Sequence, residues 1–167
     1  VTGVEPYPQL VERARRRVGD AATVLCAGAA DLPLPDAGVD LVHARTAYFF
    51  GPGCEPGLAE ARRVLRPGGT IAIVDLDATV APYGDWMRAD IPTYDPAAVE
   101  RFFDRRGFTL RRVATRWEFP DRQTLEAVLR IEFSAPVAAR AIAATVGLSL
   151  SVGYRVHVLR TGGIALR

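Results

Sequence analysis

The feature that most constrains this chain is a repeated switch of period along its 167 residues. Short apolar runs at 1–5, 22–27, 39–44 and 70–76 have the length and composition of β-strands, and helical-period segments lie between them. Parallel strands cannot be joined by a tight turn, so each needs a crossover, and crossover helices cover the sheet. The expectation is an α/β, doubly wound, mostly parallel sheet with helices on both faces. Leu10, Val11, Ala14 and Val18 mark the first helix, closed by Gly19. Leu58, Ala61, Val64 and Leu65 mark the second, which Pro67-Gly68-Gly69 should stop before the strand at 70–76. Asp95-Pro96 reads as a cap followed by proline at the first helical position, with Val99, Phe102 and Phe103 as the buried stripe. Asp121 and Ser134 open two further helices, and 108–119 and 148–159 are the last β segments, one of them expected to run antiparallel. Leu32-Pro33-Leu34-Pro35 is a loop. Tyr83, Trp86 and Met87 are expected in a loop after the central strand, to hold a ligand or to seal the core.

Composition narrows the class. A chain of this length buries one core, so 1–167 is expected to be a single domain. The apolar fraction of 49% and charged fraction of 24% are those of a globular protein, and no apolar run approaches the ~20 residues that span a bilayer. A net charge of +2, with arginines in separate groups at 13–17, 62–66 and 105–116, argues against nucleic acid and for solvated helix faces. Cys26 and Cys54 are too few for a disulfide framework and fit a reducing cytoplasm. His43 and His157 alone give an all-protein zinc site little to draw on, so no metal is expected. All 21 basic residues are arginine, as a GC-rich bacterial genome would favour. The chain opens on Val1 inside an apolar strand, so it is expected to begin within a longer protein. Nothing in the sequence signals an oligomeric state.

Three segments carry chemistry. The first strand ends in Glu5-Pro6, and a carboxylate there can accept two donors at once, as in dinucleotide-binding folds. Gly28-Ala29-Ala30-Asp31-Leu32-Pro33-Leu34-Pro35-Asp36 leads into Val39-Asp40-Leu41-Val42. Glu60-Ala61-Arg62-Arg63-Val64-Leu65-Arg66-Pro67-Gly68-Gly69 precedes the strand at 70–76. Together these resemble class I, S-adenosylmethionine-dependent methyltransferases, by motif over 1–76 and by architecture alone over 95–167.

The resemblance implies a Rossmann-like fold, with 1–80 as the cofactor-binding part and 81–167 as substrate-side helices and C-terminal strands. It implies that Glu5 accepts from both ribose hydroxyls of S-adenosylmethionine, with Pro6 beside it. Asp31 would accept from the adenine amine, flanked by Ala30 and Leu32. His43, at the carboxyl end of the third strand, is a candidate cofactor contact and general base, or a structural histidine. Arg45, Tyr48, Phe49 and Phe50 follow it and would line a substrate mouth or close the core. The family's strand order, 3-2-1-4-5-7-6, has a central first strand followed by a glycine-rich loop. No G-x-G-x-x-G occurs among the 167 residues, so the fold is expected to be incomplete at its N-terminal side. The implied activity is methyl transfer to a small molecule. A non-catalytic module of the same fold is the alternative. A dehydrogenase would share Glu5 but leave the LRPGG turn unexplained, and the chain has no lysine for a Tyr/Lys pair.

Overall fold

The computed structural model describes residues 1–47 and 51–162. The chain divides into two compact units, residues 1–73 with 158–167, and residues 74–157.

The first unit opens with β1 (Thr2–Glu5), α1 (Pro8–Val18) and β2 (Thr23–Cys26). β1 and β2 are parallel, with Thr2 opposite Thr23 and Glu5 opposite Cys26. α1 forms where expected: Pro8 occupies its first turn, and Gly19, at φ 53, ends it with an N–H bond to the Arg15 carbonyl. Val11 is its buried residue, whereas Leu10, expected in the same stripe, is 48% exposed. Arg15 secures the helix to β2, donating through Nε (2.9 Å) and Nη2 (2.7 Å) to the Val24 carbonyl.

β3 (Val39–Arg45), α2 (Glu55–Val64) and β4 (Leu65–Leu76) follow. The helix ends at Val64, so Pro67-Gly68-Gly69 does not stop it as expected but shapes the start of β4. Gly68 takes φ 83, and a Cβ on Gly69 would lie 2.7 Å from Leu65 Cγ. Glycine is needed there because the strand's first residues fold back on themselves.

The second unit holds α3 (Tyr83–Asp90), α4 (Pro96–Asp104), β5 (Thr109–Glu118), α5 (Arg122–Glu132), α6 (Ala135–Ala144) and most of β6 (Ser149–Arg160). Asp95 caps α4 by accepting from Ala97 N–H at 2.9 Å, and Asp121 caps α5 from Thr124 N–H at 2.6 Å. The expected loop at Tyr83, Trp86 and Met87 is instead α3. Tyr83 and Met87 are buried, and the Tyr83 ring lies 5.3 Å from Trp117 and 5.0 Å from Phe133. Their role is in the core. Phe102, Phe103, Phe108, Leu125, Leu129 and Val152 complete it.

The strands form two sheets, β1-β2 and β3-β4-β6-β5, rather than the single sheet expected. Alternating periods identify strands and crossovers but do not encode which strands lie side by side. The break falls between β1-β2 and β3, where the strand order implied by the resemblance would put one further strand. β6 is antiparallel to β4, since Thr161 N–H bonds the Gly69 carbonyl and Asp77 N–H bonds the Gly153 carbonyl. The sheet is therefore mixed, with helices on both sides, and is not a closed barrel. Among the described residues no helix is long and apolar enough to cross a membrane.

Candidate functional site

The first unit contains a cavity of about 570 Å³ at the carboxyl ends of its strands. One wall is the turn after β2. Ala27 N–H bonds the Glu5 carbonyl at 3.2 Å, which ties the ends of β1 and β2 together, and Gly28, Ala29 and Ala30 then line the cavity. Asp31 N–H closes that turn on the Gly28 carbonyl at 3.2 Å. The opposite wall is Thr46 and Ala47 after β3, then Gly51 to Cys54, Pro56 and Gly57 at the start of α2. Thr46 is held at φ 53, a conformation β-branched residues rarely adopt. Such strain clusters where a fold holds a ligand wall in place. The volume falls in the range of small-molecule sites, and the small side chains leave backbone groups within reach of a ligand.

Of the residues singled out from the sequence, Ala30 lines this cavity. Glu5 is half-buried at the end of β1, one hydrogen bond from the wall, and its Oε1 accepts from Tyr7 N–H at 3.0 Å. Pro6 is exposed beside it, and its carbonyl takes the Cys26 thiol at 3.8 Å. Asp31 is exposed at the cavity's edge and Leu32 is half-buried. His43 and Arg45 are exposed on β3 and outside the wall, although Thr46 and Ala47 just beyond them are part of it. Tyr48, Phe49 and Phe50 lie outside the described residues.

Sequence reasoning missed the part played by α2. Glu60 Oε2 accepts from Leu32 N–H at 2.8 Å. Arg63 grips the same carboxylate through Nε (2.7 Å) and Nη2 (2.8 Å). It also donates to the Leu32 carbonyl (2.8 Å), the Leu34 carbonyl (2.8 Å) and Asp36 Oδ1 (2.7 Å). The Arg63 hydrogen bonds, followed by the Leu32 N–H, lower the Glu60 pKa from 4.5 to about 2, and the same pairing raises that of Arg63. Arg66 Nη1 donates to both carboxylate oxygens of Asp40 at 3.0 Å. Arg63 and Arg66, though partly exposed, are thus also engaged with the loop and β3. The usable signal was the three-residue spacing of Glu60 and Arg63, which places both on one helix face.

Residues 1–73 match the methyltransferase-domain family. The chain is 37% identical over 89 residues to the 27-O-demethylrifamycin SV methyltransferase of Amycolatopsis mediterranei, covering 50% of this chain and 33% of that protein. It therefore spans about a third of that relative's length. Among solved structures, the YcgJ protein of Bacillus subtilis superposes with a TM-score of 0.62 at 18% identity, covering 96% of this chain and 82% of that one. A SAM-dependent methyltransferase from Thermotoga maritima gives a TM-score of 0.56 at 19% identity, covering 93% and 72%. The family match fixes the kinship of the cavity-bearing segment, and the superpositions extend the same fold to the later strands. Residues 1–73 are thus similar to the methyltransferase-domain family, and the chain shares the fold of these methyltransferase structures.

Proposed function

We propose that this chain serves S-adenosylmethionine-dependent methyl transfer to a small molecule, with the cavity beside Gly28–Ala30 receiving the cofactor. The observation that carries this reading is the place of the cavity. It lies wholly within the family-matched segment, and the strand ending in Glu5 is tied by its last carbonyl to Ala27, next to the lining residue Gly28. The donor set suits the group: Glu5 uses one oxygen for Tyr7 N–H and keeps lone pairs for ribose hydroxyls. Asp31, at the edge of the same turn, would accept from the adenine amine, with Ala30 and Leu32 against the ring. Glycines and alanines in the wall let the backbone approach a bound ligand closely.

When bound, S-adenosylmethionine supplies a methyl group already activated on a sulfonium, so the protein's task is alignment and exclusion of water. Thr46, Ala47 and the Gly51–Cys54 turn form the wall that would orient the acceptor. Their small, mostly apolar side chains leave room for a small-molecule acceptor. The relative from Amycolatopsis, named for such a substrate, supports that class. Cys26 and Cys54 are not in disulfides, which suits a reducing bacterial cytoplasm.

The test is calorimetric titration of the intact protein with S-adenosylmethionine and S-adenosylhomocysteine, repeated with Ala30→Trp to fill the cavity. Binding by the native protein and its loss in the variant is the expected result. A folded native protein that binds neither compound overturns the reading. Binding without turnover on a panel of small-molecule acceptors would favour the non-catalytic module.

A further inference from the structure

We infer that Glu60 and Arg63 are positioning residues that set the shape of the cofactor wall, acting through the loop between β2 and β3. This rests on the reading of the cavity as a cofactor site. The loop from Ala27 to Gly38 has no helix or strand to satisfy its backbone. Buried or half-buried N–H and C=O groups nonetheless need partners. Here the partners come from one turn of α2. Leu32 is held from both ends: its N–H is taken by Glu60 and its carbonyl by Arg63. Arg63 also takes the Leu34 carbonyl and Asp36, and its own carbonyl accepts from Ala37 N–H at 2.9 Å. Upstream, Asp31 N–H already returns to Gly28. The stretch from Gly28 to Ala37 is therefore fixed at its lining end by its own turn and at its far end by a single ion pair.

Only an arginine can do this. Nε, Nη1 and Nη2 of Arg63 reach five acceptors lying in different directions, whereas a lysine ammonium is a point charge with three donors. The charge is largely a means to geometry. Arg63 holds Glu60 ionised, and the ionised Glu60 presents one oxygen to Leu32 while the guanidinium spans the rest.

The experiment compares native protein with Arg63→Lys and Glu60→Ala, using two readouts. Hydrogen exchange reports the Leu32 and Ala37 amides, with the Val24 and Leu25 amides of β2 as an internal reference. Calorimetry reports S-adenosylhomocysteine affinity. Expected in both variants is at least tenfold faster exchange at Leu32 and Ala37, unchanged exchange in β2, and about tenfold weaker binding. Combining the two changes should weaken binding little beyond either alone, because they break one shared network. Should Glu60→Ala fail to fold, Arg63→Lys carries the test. Faster loop exchange with unaltered affinity would overturn the inference while leaving the cofactor reading intact. Native protein that binds no S-adenosylhomocysteine overturns both.

Discussion

The second unit buries charged side chains, and the described part of the first does not. In the first, ionic groups sit at or near the surface and act on backbone: Arg63 and Glu60 have side chains 33% and 19% exposed, and Arg66 and Asp40 are 53% and 79% exposed. In the second, charge is folded into the sheet. Asp75 in β4, Asp77 just beyond its end, and Arg155 and His157 in β6 are each at most 1% exposed. There Arg155 donates to the Tyr94 hydroxyl and the Pro96 carbonyl and lies 3.6 Å from Glu100. Asp77 accepts from Thr79 and from Arg112, which also reaches Glu100 at 2.7 Å. Surface pairs contribute little stability, whereas a buried ion left without its partner is costly. The contrast teaches that the Glu60–Arg63 pair of the first unit shapes a loop beside the cavity, whereas the second unit, besides surface pairs such as Arg101 with Asp95, makes one charged cluster part of its core.

The largest expected effect tests that division directly. Arg155→Ala should destabilise the protein by about 2–5 kcal/mol, because a large, fully buried side chain is removed and the Tyr94 hydroxyl and Pro96 carbonyl lose the donor it supplies. Denaturant unfolding of the intact protein measures it. A loss below about 1 kcal/mol would place the cluster in the same class as a surface pair and erase the contrast.

In the first unit the matching change should register on binding. Glu5→Ala should weaken S-adenosylhomocysteine binding by about 10- to 100-fold, since a charge-assisted hydrogen bond contributes ~1.5–3 kcal/mol. Its cost to folding should stay near 1 kcal/mol, the order of the single bond to Tyr7 N–H. Calorimetry and unfolding on the same variant separate the two, and unchanged affinity would remove Glu5 from the site.

The limits of sequence reading follow the same boundary. Strand and helix identity was legible wherever apolar residues kept a period, so α1, α4 and α5 and their caps were found from pattern alone. α3 was hidden by Pro82 and Gly84, which read as loop residues. Gly84 is there because a Cβ would lie 2.5 Å from the Ala78 carbonyl oxygen, a packing demand and not a break in the helix. β3 carries the apolar run of a strand covered on both faces, yet Leu41 is 57% exposed. Composition records what a strand can bury but not what lies over it. At the site, Glu5 and Asp31 were nominated through the resemblance. Glu60 and Arg63 stood in the most specific motif without a role, because their partners lie about thirty residues away in a loop with no period. The wall from Gly51 to Gly57 drew no nomination as a site, since cavity walls rich in glycine and proline leave little side-chain signature.

Acid should separate the units more finely. His157 is pushed down from 6.5 to about 4, chiefly by burial and then by Arg155 and Arg112, with Asp77 opposing. Below pH 6.5 the unfolded chain takes up that proton and the folded chain does not, so stability falls as pH drops from about 6.5 to about 4. Glu60 is the opposite case. Its lowered pKa gives a contribution complete above about 4.5 and lost as pH falls towards about 2. Unfolding free energies measured across pH for native protein, His157→Gln and Glu60→Gln should therefore lose slope in different windows. A His157→Gln curve parallel to the native one between pH 6.5 and 4 would show that the buried imidazole is not protonated on unfolding in that range.

The smallest expected effect concerns His43. It stands on β3, the strand whose end feeds the cavity wall, but it is exposed and the lining begins three residues later at Thr46. His43→Ala removes no buried contact, so stability should change by no more than about 0.5 kcal/mol. S-adenosylhomocysteine affinity should stay within about twofold, because less than 0.5 kcal/mol separates the two proteins in binding. Turnover is where His43 can still count. A general base that takes the acceptor's proton contributes about 10²- to 10⁴-fold, and its loss would lower kcat at constant cofactor affinity. Calorimetry beside steady-state kinetics therefore reads binding and chemistry separately for one substitution. A tenfold loss of cofactor affinity in His43→Ala would move the histidine into the binding wall. It would also show that the first unit uses side chains on the strand itself, and not only those of its loops and strand ends, to hold the ligand.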